Sequence, residues 1–81
     1  MTSETLWNER KKIVLMAQTS SGYSVSVWTL PQGISNCHSC NLGAGYALFL
    51  KTHSPTTHNY AFCKADLNEY LASHGVENMI S

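Results

Sequence analysis

Apolar and polar positions change period several times along this chain, and each change predicts an element. The clearest stretch is Tyr23-Ser24-Val25-Ser26-Val27-Trp28-Thr29-Leu30, which alternates with period two. In a strand, that places Tyr23, Val25 and Val27 on one face and Ser24, Ser26 and Trp28 on the other. Upstream, Ile13-Val14-Leu15-Met16-Ala17 is a continuous apolar run that reads as a buried strand. The polar turn Thr19-Ser20-Ser21-Gly22 joins the two, so residues 12–30 predict a β-hairpin.

Residues 3–11 predict a short opening helix. Ser3 suits the N-cap, Glu4 the first turn, and Arg10, Lys11 and Lys12 the C-terminal end, where cations meet the negative pole of the helix. Leu6 and Trp7 supply its apolar side. Pro31 and Gly33 stop the hairpin, and residues 31–45 read as a loop. Residues 46–51 predict a third strand, with a helix over 42–51 as the alternative. Pro55 marks a turn, and residues 59–63 predict a fourth strand with Tyr60 and Phe62 on one face. Residues 67–74 predict a helix. Asp66 would be its N-cap, with Glu69 completing a capping-box arrangement, and Leu67, Tyr70 and Leu71 its buried stripe. Gly75 ends it in the C′ position. The sum is a single α+β domain over residues 1–81, a small antiparallel sheet of three to four strands with a C-terminal helix on one face.

Charge narrows the function. Only 12% of residues are charged, about half the usual share, and five Lys/Arg balance five Asp/Glu. A strongly basic nucleic-acid binder is therefore disfavoured, and so is an acidic DNA mimic. Three cysteines do not suggest a disulfide framework. Neither a secretory leader pattern nor an apolar run of membrane-spanning length occurs, so a cytoplasmic setting is expected. Zero net charge gives little colloidal repulsion, which points to a protein partner or a homodimer.

One spacing suggests a metal. Cys37-His38-Ser39-Cys40 is followed by His53 and His58, which reproduces the C-x2-C-x12-H-x4-H pattern of a Cys2His2 zinc finger. The context opposes it. Pro55 falls between the two histidines that a finger carries on one helix, Ala44 stands where its aromatic would, and Lys51 is the sole cation between Cys37 and His58. No cofactor is therefore expected. Cys37, Cys40, His53 and His58 remain the candidate ligands of the alternative reading, a zinc-stabilised domain that binds nucleic acid. Cys63 reads as a small buried hydrophobe. No nucleophile signature, phosphate-cradling loop or carboxylate pair is present, so an enzyme is not expected.

Trp28 among Ser24 and Ser26 has the composition of a recognition surface, an aromatic anchor beside adaptable hydroxyls. Trp7 and Arg10 join it as candidate partner-binding residues. The expected function is a non-enzymatic protein-binding module that occludes the surface of a host or defence-system protein. By class analogy this is an inhibitor of the anti-defence type carried by phages and mobile elements, such as an anti-CRISPR protein. The run Gly22-Tyr23-Ser24-Val25-Ser26-Val27 with Leu30-Pro31-Gln32-Gly33-Ile34-Ser35 resembles the second-strand signature of HicB-type antitoxin domains. That family's acidic helix start is missing, and the resemblance assigns no residue a role.

Overall fold

Chain order and sheet order are the same in this molecule. The computed structural model describes residues 3–31, 33–37, 43–53, 56–77 and 80. Helix α1 (Ser3–Glu9) is followed by strands β1 (Ile13–Gln18), β2 (Ser24–Thr29), β3 (Tyr46–Lys51) and β4 (Thr57–Phe62), and then by helix α2 (Lys64–Ser73). The strands form one antiparallel sheet in the order β1-β2-β3-β4. The α+β class with a C-terminal helix against the sheet is as the sequence predicts, and residues 46–51 are strand, not helix.

Register divides the side chains cleanly. Val25 pairs with Leu50 and Val27 with Leu48, while Tyr46 pairs with Phe62 and Leu48 with Tyr60. These residues form the face that α2 covers. Val25, Val27, Leu48, Leu50 and Phe62 pack there with Leu67, Leu71 and Val76 in one buried cluster that also takes in Cys37. The opposite face carries Ser24, Ser26 and Trp28, paired respectively with Lys51, Phe49 and Ala47. Helix α1 lies over the β4 side of that face. Its Leu6 enters a cluster with Leu30, Ala44, Ala47, Phe49 and Ala61, where three alanines leave room for a close helix approach.

Several boundaries differ from the pattern-based expectation, each for a physical reason. Strand β1 is an edge strand rather than a buried one. Only Leu15 and Ala17 pack against the main core, whereas Met16 is 75% exposed and Ile13 and Val14 are exposed as well. A continuous apolar run does not tell whether both faces are covered. The register shift between Ile13 and Leu15 leaves Val14 as an extra residue in the ladder, and such a bulge twists an edge strand locally. Helix α1 ends at Glu9 because the next residues enter the sheet. Lys11 N–H donates to the Thr29 carbonyl at 2.9 Å, and Thr29 N–H donates to that of Lys12 at 2.8 Å. Helix α2 starts earlier than predicted. Cys63 occupies its N-cap position, and Asp66 lies in the first turn instead of capping it.

At its far end α2 is fastened to the β1–β2 turn. Ser20 N–H donates to the His74 carbonyl at 3.0 Å. Gly75 has φ +76°, and a Cβ there would sit 2.7 Å from the Ser20 Cβ. Both the left-handed backbone and the close approach demand glycine at this position.

Candidate functional site

Helix α1 is too short to roof its face of the sheet, and its cover stops at Trp7. The Trp7 ring meets Phe49 edge-on at 5.2 Å between centroids and Trp28 edge-on at 6.4 Å. Beyond Trp7 the face opens into a depression of about 560 Å³. Ser24, Ser26 and Phe49 contribute to it from the sheet, with Met16, Lys51 and Trp7 among its other lining residues. Trp7 remains 47% exposed at its edge. The depression thus combines two large exposed apolar side chains, the three hydroxyls of Ser24, Ser26 and Thr57, and one cation.

The five candidate partner-binding residues fall on this one side, in unequal roles. Ser24, Ser26 and Trp28 share the face, as their alternation predicts. Trp28, however, is half-buried rather than the exposed anchor, because Trp7 packs beside it and Arg10 reaches over it. The Arg10 guanidinium lies 3.5 Å from the Trp7 ring centroid and 4.9 Å from that of Trp28. Its Nη1 donates to the Trp7 carbonyl. Cation–π contacts of this kind contribute about 0.5–2 kcal/mol, so Arg10 ties the end of α1 to the two indoles. Among the described residues, three buried polar atoms on this side find no hydrogen-bond partner: Arg10 Nε, Trp28 Nε1 and Asn59 Oδ1. The exposed anchors are Trp7 and Met16. The sequence pattern passed over Met16 because it sits within an apolar run.

A second cluster lies at the α2 end of the sheet, on the other side. The bridge between Asn36 and Gly43 pins the loop before β3, and Gly45 N–H donates to the Phe62 carbonyl at 3.1 Å. The described residues at either end of this bridge therefore lie near the exit of β4. Cys37 Sγ sits 3.6 Å from Cys63 Sγ, donates to Asp66 Oδ2 at 3.0 Å and accepts from the Cys63 N–H at 3.3 Å. The ligand atoms of Cys37, Cys63 and Asp66 all lie within 4.8 Å of one another. Cys63 is thus more than a core filler, and the Asp66 carboxylate accepts a hydrogen bond from a thiol.

The finger-like ligand set does not assemble. His58 is in β4, five residues before Cys63 and so roughly 16 Å away along an extended strand. His53 is placed near the β1–β2 turn, with its Nε2 3.3 Å from the Ser21 carbonyl oxygen and its ring edge-on to Tyr23 at 4.9 Å. Both histidines are therefore remote from Cys37, whereas tetrahedral ligands must stand within about 4 Å of each other. Cys40 lies outside the described residues.

Tyr70 stacks between these regions and the turn that α2 docks on. Its ring lies 5.3 Å from Phe62, 5.4 Å from Tyr60 and 4.0 Å from His74. Burial, and secondarily the neighbouring Tyr60, push its phenol above the ordinary 10.0.

Comparison with family models, curated proteins and solved structures finds no significant match to this chain.

Proposed function

We propose that this protein is a non-enzymatic binding module that occludes a partner protein through the open half of the α1 face. The observation that supports this reading is the depression beside Trp7 and Met16. An uncovered sheet face that joins an aromatic anchor, a flexible thioether and small hydroxyls has the make-up of a protein interface core. Zero net charge favours contact by shape and apolar burial over charge mimicry. Trp7 and Met16 are the anchors in this reading, Ser24 and Ser26 supply adaptable hydrogen bonds, and Arg10 and Trp28 hold Trp7 in place. The partner is a host or defence-system protein, and the setting is cytoplasmic. The narrower assignment to an anti-defence inhibitor such as an anti-CRISPR protein rests on small size and neutrality.

The test is stoichiometric capture of a protein from cell extract by the immobilised chain, with the complex mass read by native mass spectrometry. Met16→Glu puts a charge in the depression and should abolish capture. Lys64→Glu, exposed at the start of α2, should leave it unchanged. Equal capture by both variants refutes the proposed face.

A further inference from the structure

We propose that Cys37, Cys63 and Asp66 form a three-ligand binding site for a thiophilic divalent cation of the zinc class. This site is separate from the protein-binding face and uses neither histidine of the finger-like spacing.

Geometry carries the inference. Zinc–thiolate bonds of 2.3 Å in a tetrahedron put two sulfurs about 3.8 Å apart. The Cys37 and Cys63 sulfurs are 3.6 Å apart, close to that edge and far beyond a covalent S–S length of about 2.05 Å. A carboxylate oxygen completes a triangle whose corners all fall within 4.8 Å. Two thiolates and a carboxylate are a soft-biased donor set that suits zinc in preference to magnesium or calcium.

The surroundings suit an ion as well. Cys63 stands at the N-cap position of α2, and its side chain makes no capping bond to the helix. The Cys63 N–H instead points at the Cys37 sulfur, an outer hydrogen bond of the type that steadies metal thiolates. The positive pole of α2 lies beside the cluster and favours its negative charge. Cys37 is buried in the core, while Cys63 and Asp66 are half-buried. The triangle thus has one buried corner and two half-buried ones.

Binding balances simply. The Cys37 and Cys63 thiols each release a proton to solvent, and the thiol–carboxylate hydrogen bond of Cys37 to Asp66 gives way to two bonds to the ion. Three negative ligands against a divalent cation leave a net charge of minus one. Two protons appear per ion bound, so affinity rises with pH.

The test titrates the full chain, chelator-treated and kept reduced with a phosphine, with zinc and with cobalt(II). One ion per chain is expected by native mass spectrometry, with a thiolate-to-cobalt charge-transfer band and an upward shift in melting temperature on the order of 10 °C at saturating zinc. Outer-shell changes alone weaken metal sites by about 10–100-fold, so loss of a ligand atom in Cys63→Ser should exceed roughly a hundredfold. Asp66→Asn should also weaken binding, and it serves as the second variant if Cys63→Ser loses its far-ultraviolet circular dichroism. The paired replacement of His53 and His58 by alanine should change nothing. Absence of binding in the reduced protein, full binding by folded Cys63→Ser or Asp66→Asn, or loss of binding in the histidine variant would each overturn the site.

Discussion

The two faces of this sheet are built on opposite plans. Under α2 the sheet presents Val25, Val27, Leu48, Leu50 and Phe62, and the helix returns Leu67 and Leu71. Under α1 it presents Ala47 and Ala61 beside the rings of Phe49 and Trp28, with Ser24 and Ser26 on the same face, and the helix returns one buried leucine, Leu6, and the half-exposed Trp7. Large side chains facing large ones make a core that excludes water across its breadth. Alanines and two aromatic rings facing a seven-residue helix make a local dock and leave the rest of the face open. The difference teaches that the α2 side holds the fold, while the α1 side has surface to spare for contact.

The sharpest way to break this comparison is to truncate one leucine on each side. Leu67→Ala should destabilise the whole domain by about 3–5 kcal/mol, because the cavity lies where several elements meet. Leu6→Ala should release α1 with much less effect on the denaturation midpoint of the sheet, and hydrogen exchange should rise in α1 alone. Equal global losses for the two variants would show that both faces carry the fold.

A smaller effect tests how α2 is fastened. Gly75→Ala should cost roughly 1–3 kcal/mol from its left-handed backbone, with a further loss because the new Cβ meets Ser20. Urea denaturation reads it, and a change within error would mean that the helix end re-docks without strain.

The mildest effect concerns dryness. The Tyr70 phenol is pushed above 10.0 by burial first and by Tyr60 second. Folded protein then holds that proton more tightly than unfolded protein does. Its contribution to stability is complete below pH 10 and is lost as pH rises through the raised value. Tyr70→Phe should flatten the alkaline fall in melting temperature above pH 10. An unchanged slope would mean that the α2 face is wetter there than its packing implies.

Much of this fold was legible in the sequence, because it depends on local pattern. The alternation through Val25, Val27 and Trp28 assigned both faces of β2 correctly. The Gly75 stop was legible too, since only a left-handed residue ends the helix there. What failed depended on cover supplied from elsewhere. Met16 lies in the same apolar run as Leu15, and nothing in the run says that only one of its faces meets a helix. Asp66 and Glu69 have capping-box spacing, yet the aspartate was drawn to a thiol from a distant loop. The Cys37–Cys63 pair was hidden for the same reason. Two strands separate the residues in the chain, and only the pairing of Tyr46 with Phe62 brings their segments together. The early signal was topological: in a meander, the residue leaving β4 returns beside the loop that enters β3.

That meander also bears on how quickly the molecule assembles. Each strand pairs only with its neighbours in the chain, so the β1–β2 and β3–β4 ladders close short loops at small entropic cost, while the β2–β3 ladder closes the longer segment 30–45. The clasp from Ser20 to His74 is different. It joins the first turn of the sheet to the end of the last helix, 54 residues apart in the chain (74 minus 20), so its formation closes a far longer loop than any strand pairing does. A contact of such separation is expected to form late, so weakening it should speed unfolding while leaving the folding rate nearly unchanged, as stopped-flow denaturation of Gly75→Ala would read.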